Sequence, residues 1–183
     1  VLFHYRKRNF LNVYSNNTLG TYIEVGAMEW ARQNGKDIFS DERNFAKFEK
    51  GFREVTDEAE AYIAKAKLQT SATIADFYTL KGVTEKLYYF FEKTEFFFTD
   101  KCYEDYSDAK AMPEVLKRNL LVLGDDLKMR SRPILVELLT TVLYHFVACV
   151  SREMGIPEGD LRFYSYAEIE RLLELGVRAD EVV

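Results

Sequence analysis

"SDERNFAKFEKGFREVTDEAEAYIAKAKLQ", residues 40–69, is the stretch whose spacing decides the fold. Apolar side chains recur at Phe45, Phe48, Phe52, Val55, Ala59, Tyr62 and Ala66. Alternating steps of three and four return to one side of a 3.6-residue helix, and charged residues fill the rest of the circumference. The pattern predicts a long helix that buries one face, as in the seam of an antiparallel bundle. Ser40 is its candidate N-cap, with Asp41 and Glu42 in the turn where the helix dipole favours negative charge. The stripe runs out near Gln69.

The next segment extends the same logic. Thr73-x-x-Asp76 resembles a capping box and predicts a helix start. That helix carries "KLYYFFEKTEFFFTD", residues 86–100, with seven aromatic rings in fifteen positions. Leu80, Val83, Leu87, Phe90 and Phe97 mark one face, and Phe77, Tyr88, Phe91 and Phe98 mark another. A helix apolar around most of its circumference belongs in the middle of a bundle.

Upstream, "FHYRKRNFLNVY", residues 3–14, is rich in aromatic and β-branched residues around a polar turn at Arg8-Asn9. It predicts a short β-hairpin or extended arm. "SNNTLG" then breaks the chain, and a helix through "TYIEVGAMEWARQNG" is expected to end near Gly35. Downstream, "SDAKAMPEV" is a break, with Pro113 suited to a first helical position. Leu116, Leu120 and Leu123 continue helically to Gly124, and "DDLKMRSRP" reads as a polar, basic interval. "PILVELLTTVLYHFVACV", residues 133–150, is barely long enough to cross a membrane, and Glu137, Thr140, Thr141 and His145 interrupt it. It reads as a buried helix, stopped by Gly155 and Pro157. Ser165-x-x-Glu168 is a second capping box, with Gly176 as the closing cap. The expected fold is mostly α: an antiparallel helical bundle over residues 19–183 with a β-hairpin or extended arm over 1–18.

Composition limits the function classes. The 183 residues carry a formal charge of −5, which speaks against nucleic-acid backbones as the main partner. Cys102 and Cys149 lie in apolar segments without motif spacing and read as reduced core thiols of a cytoplasmic protein, with a single disulfide between them as the alternative. No secretory leader is visible. A chain that opens on Val1 and stops on "ADEVV" reads as part of something longer.

Candidate chemistry centres on Glu92 and Glu95, three apart and therefore adjacent on one helical face. Such a pair could bind a cation or act as acid and base. A di-metal bundle, however, needs Glu-x-x-His pairs, and neither His4 nor His145 has a glutamate three residues before it. No metal site is expected. The alternative makes Glu95 a buried acceptor that needs a partner, for which Arg118, Arg130 and Arg132 are candidates. His145 and Cys149 share a helical face, but two ligands fall short of a zinc site, so His145 reads as a satisfied core residue or pocket group. Arg130-x-Arg132 could grip an anion, as could Arg6 and Arg8 near His4. Interhelical ion pairs and a charged strand edge are the competing readings. No P-loop, GxGxxG or Ser/His/Asp set is present.

The last third carries a resemblance. Gly124, Arg130 and Arg132 precede a long helix. Gly155-Ile156 and Asp160-Leu161 follow, and then Ser165-Tyr166-Ala167-Glu168-Ile169 with Leu172-Leu173. In this order they resemble the helical segment of phosphoenolpyruvate synthase-related, PEP-utilising phosphotransferases, and "TEFFFTD" (94–100) is similar to the aromatic helix before it. The resemblance implies a parent protein that uses ATP or PEP with Mg²⁺ and carries phosphate on a histidine of a swivelling domain. It carries over no catalytic residue, because neither histidine here sits in the glycine-rich setting of the phosphorylated one. It implies a non-catalytic scaffold or linker beside that domain in cis, without membrane or nucleic-acid partners and with self-association open. The alternative is a stand-alone helical module with an aromatic-lined pocket for a ligand or protein.

Overall fold

The 40–69 seam forms one uninterrupted helix in the computed structural model, which describes residues 10–15, 18–23, 25–107 and 110–176. The described chain is mostly helical, with the character of a helical bundle. Helix α1 is Val25–Phe39, α2 is Glu42–Ala66 and α3 is Ile74–Phe91. A 3-10 turn, Glu92–Thr94, leads into α4, Phe96–Glu104. Then α5 (Glu114–Leu121), a π-helical segment (Val122–Lys128), α6 (Met129–Glu137), a second π segment (Leu138–Val142) and α7 (Leu143–Met154) run on without a break. Short α8 (Glu158–Leu161) and α9 (Tyr166–Leu175) close the described chain.

Several boundaries differ from the sequence reading, each for a local reason. The N-cap of α2 is Asp41 rather than Ser40, since its carboxylate accepts the Asn44 amide at 2.7 Å. On α2 the buried positions are Phe45, Phe48, Phe52, Thr56, Ala59, Ile63 and Ala66. Thr56 and Ile63 are buried in place of the expected Val55 and Tyr62, one position further along the same side of the helix. Helix α1 does not stop at Gly35. A Cβ there would sit 1.6 Å from the Phe98 carbonyl oxygen, so this glycine lets α1 press against α4.

The expected polar interval at 125–133 is also helical. Its π turns widen the helix, and Pro133 has no N–H to give one turn back. Ser131, fully buried, donates its hydroxyl to the Leu127 carbonyl at 2.7 Å and reaches that of Lys128 at 3.4 Å. A buried side chain thus serves carbonyls of the widened turn and lets the helix continue. Both expected capping boxes are present, at Thr73–Asp76 and Ser165–Glu168. Gly155 and Gly176 take left-handed backbone angles at helix ends.

Near the N-terminus, the expected turn at Arg8-Asn9 involves residues outside the described set. The described backbone pairs Phe10–Ser15 (β1) with Thr18–Ile23 (β2) antiparallel, Phe10 opposite Ile23 and Ser15 opposite Thr18. Residues 21–23 are therefore strand, not the helix start expected from "TYIEVG".

The chain divides into two compact units: residues 1–54 with 88–131, and residues 55–87 with 132–183. The first is aromatic. Phe39, Phe45, Phe48, Phe52 and Phe90 form a ring cluster with centroids 5.5–6.3 Å apart. Gly51 leaves room for the Phe90 ring, whose tip would be 2.8 Å from an added Cβ. The second unit is largely aliphatic, with Leu80, Leu87, Leu138, Val142, Val150, Leu161 and Leu172 buried and Phe77 against Phe146 and Tyr166. Burying each such side chain contributes about 1.5–3 kcal/mol before the entropy of ordering it. Among the described residues one helix, Glu114–Met154, is long and apolar enough to cross a membrane, and 44% of its most apolar window is buried inside the molecule.

Candidate functional site: the corner between α3 and α4

The aromatic stretch is not one helix. Helix α3 ends at Phe91 because the residues after it carry side chains that reach back to its last carbonyls. Lys93 Nζ donates to the Tyr89 carbonyl at 2.7 Å, and Thr94 Oγ1 donates to that of Phe91 at 2.7 Å. Those carbonyls lack helical partners at a C-terminus, so side-chain donors end the helix there. Glu95 then turns extended, with φ −78° and ψ 155°. The expectation that Glu92 and Glu95 share one helical face is corrected accordingly: the break sends them to different surroundings.

Three consecutive polar residues lie inside the first unit: Glu92 is 3% exposed, Lys93 4% and Thr94 6%. The Lys93 ammonium meets Glu92 Oε1 at 3.1 Å and sits 3.5 Å from the centre of the Tyr89 ring. Cation–π attraction strengthens as the cation loses water, and the Lys93 side of this contact is buried while the Tyr89 ring is partly exposed. The other carboxylate oxygen, Glu92 Oε2, is buried and has no hydrogen-bond partner among the described residues. Burial pulls the Lys93 pKa below its ordinary value although Glu92 pushes the other way. Burial also pushes the half-buried Tyr88 hydroxyl up to about 12, helped by the charges of Glu92 and Glu95.

Glu95 is not the buried acid. Its side chain is 37% exposed and faces Lys128 at 3.6 Å, not any of the three arginines expected as partners. Lys128 also donates to the Thr94 carbonyl at 3.3 Å. Two residues earlier in the same π segment, Asp126 pairs with Arg53, which also binds Glu49 at 2.9 Å. The corner is therefore an enclosed ion pair with an outer latch from the π segment. Its groups hold charge away from water and fix backbone carbonyls; the lysine and the carboxylate are directed at each other.

The remaining candidates fall elsewhere. Arg118 pairs with Glu42 at 2.7 Å near the start of α2. Arg130 and Arg132 are exposed on α6 and belong to different units. Arg6, Arg8 and His4 lie outside the described residues. His145 is half-buried in the second unit, with Nε2 2.7 Å from the Gln69 carbonyl. A carbonyl can only accept, so this nitrogen carries the proton. Cys149 Sγ lies 3.9 Å from the same nitrogen and accepts from Arg152 Nη2 at 3.1 Å. Cys102 and Cys149 are both free and buried, and burial raises the Cys102 thiol to about 11. Among the described residues no group of three or more His, Cys, Asp or Glu side chains is arranged to hold a metal ion.

Sequence reasoning missed Lys93, Thr94 and Lys128. The usable signal was the pair Lys-Thr directly after an aromatic run: two donors placed where a helix runs out of intrahelical partners. No protein-family model, curated protein or solved structure matches this chain.

Proposed function

We propose that this chain is a non-catalytic helical scaffold of a PEP synthase-like phosphotransfer protein, orienting a mobile phosphohistidine domain that lies outside residues 1–183. The observation that supports it is the enclosure of Glu92, Lys93 and Thr94, where Lys93 Nζ and Thr94 Oγ1 are directed at Glu92 Oε1 and at backbone carbonyls. Large rings such as Phe52, Phe77 and Phe98 are buried in packing rather than lining an open cleft. On this reading the reacting histidine, the ATP or PEP and the Mg²⁺ belong to other parts of a cytoplasmic parent protein. The N-terminal hairpin or arm is an appendage to the scaffold, and neither a membrane nor nucleic acid is a partner.

The test is phosphorylation of the full-length gene product with labelled ATP or PEP and Mg²⁺, followed by peptide mapping. Acid-labile label on a histidine outside residues 1–183 is the expected result. Label on a residue within the chain, no label at all, or turnover by these residues alone overturns the proposal.

A second reading, a stand-alone helical binding module, is favoured by apolar side chains that face outward. Tyr89 in the first unit is exposed, as are Val136, Tyr144 and Phe163 in the second. It differs from the first in expecting no phosphohistidine anywhere in the gene product.

A further inference from the structure

We propose that the turn Glu92–Thr94 is a built-in opening joint of the first unit. Its closed state is opposed by the buried Glu92–Lys93 pair and favoured by the Lys128 latch.

The opposing force comes from what burial withholds. Among the described residues Glu92 Oε2 is enclosed without a donor, and the Lys93 ammonium beside this carboxylate has itself lost its hydration. Opening the turn returns both ions to water, a gain that a pair of apolar side chains of the same shape would not have. The backbone adds little resistance. Across the break, the Glu95 amide bonds to the Glu92 carbonyl at 3.1 Å and the Phe98 amide to the Glu95 carbonyl at 3.0 Å. The residue preceding the turn, Phe91, gives it no side-chain cap.

The closing force is external. Lys128 reaches the Thr94 carbonyl and the Glu95 carboxylate from the π segment, with its side chain 31% exposed. A partly exposed ion pair weakens with salt, whereas the enclosed pair is shielded from it. The titratable and charged groups around the turn are Tyr88 on α3, Glu95 beside it and Lys128 on the π segment. On α4, Asp100 is taken up by Arg32 at 3.0 Å. Loosening the latch therefore frees the joint without disturbing the pair that drives it. Segments of low local stability are the ones that move when a protein changes shape.

Hydrogen exchange resolved by NMR on this chain tests the joint. In the unmodified protein the Glu95 and Phe98 amides should exchange through an opening at least about tenfold more frequent than that of the slowest α2 amides in the same unit. Lys128→Met should raise that opening about two- to fivefold, and added salt should do the same in the unmodified chain alone. Glu92→Leu combined with Lys93→Met should lower it by about tenfold. Exchange of these two amides only through global unfolding overturns the proposal, and so does an opening that neither Lys128→Met nor salt changes. Should the double variant fail to fold, the latch and salt measurements still decide.

Discussion

Two corners of this protein join helices with opposite chemistry. Between α2 and α3, in the second unit, the chain is held by groups that each have a partner. His145 donates to the Gln69 carbonyl and Arg152 to that of Thr70, while Glu153 accepts the Ala72 amide. Gln69 reaches Asp76 at 2.8 Å, and Asp76 closes the capping box with Thr73. Between α3 and α4, in the first unit, the chain turns about a buried ion pair that, among the described residues, leaves one carboxylate oxygen unmatched, and Lys128 closes the turn from the π segment. The first arrangement distributes neutral or half-exposed hydrogen bonds, each contributing about 0.5–1.5 kcal/mol. The second concentrates charge where removing one partner is costly and removing both is not. Cross-linking by many small bonds gives a rigid loop; a buried pair gives a corner whose stability depends on keeping both members.

The sharpest way to break this contrast is to strand one charge. Glu92→Leu should destabilise the protein by about 3–5 kcal/mol, because the Lys93 ammonium then has no counter-charge inside. Adding Lys93→Met should recover that loss and leave the double variant neutral to about 4 kcal/mol more stable than the unmodified chain. Urea unfolding of the three proteins measures both. A single variant that loses less than about 1 kcal/mol would mean the pair is in water and the contrast false.

Next in size is the packing beside that corner. Gly35→Ala forces a methyl group into the Phe98 carbonyl, a backbone atom that cannot rotate aside. A loss of about 1–3 kcal/mol or more is expected, compared with about 1 kcal/mol gained where a helical glycine has open space around it. Gly82 on α3, where an added Cβ would meet nothing within 4 Å, is the internal control. At the other corner, Thr73→Ala removes one cap among several bonds and should cost about 1 kcal/mol. A loss at Thr73 equal to that at Glu92 would erase the distinction between the corners.

These corners also differ in how legible they are in the sequence. Thr73-x-x-Asp76 and Ser165-x-x-Glu168 announce themselves because a cap is local: donor and acceptor are three residues apart. The α2 stripe is legible for a similar reason, since one face of a helix is a matter of spacing, although a count of threes and fours fits Thr56 and Ile63 as well as Val55 and Tyr62 and does not choose between them. What sequence spacing hides is contact across long separations. Gly35 looks like a stop signal until Phe98 is seen to press on it. Glu95 looks like the buried acid until Lys93 and Thr94 end the helix and turn Glu92 inward. The π turns at 122–128 and 138–142 likewise leave no local mark, and Gly124 and Pro133 read as breaks that buried Ser131 helps the helix to bridge.

The smallest effect is the one whose sign is least intuitive. The Lys93 pKa in the folded protein lies below its ordinary 10.5, with burial as the leading cause. Below the folded value, Lys93 is charged in both states and the whole cost of burying that charge is present. As pH rises through the folded value toward 10.5, only the unfolded chain still holds the proton, so folding releases it and the cost is lifted. Lys93 therefore contributes a gain in stability with rising pH, opposite to Cys102 and Tyr88. Their raised values make them favour the folded state at low pH and lose that contribution above about 9 and 10 respectively. Comparing the unmodified chain with Lys93→Met across pH 7–10 cancels the opposing groups, which are common to both. Lys93→Met strands Glu92 and starts out less stable, so the difference in unfolding free energy should widen in favour of the unmodified chain as pH rises. A difference that stays flat would place Lys93 in water and remove the buried charge on which the contrast between the corners depends.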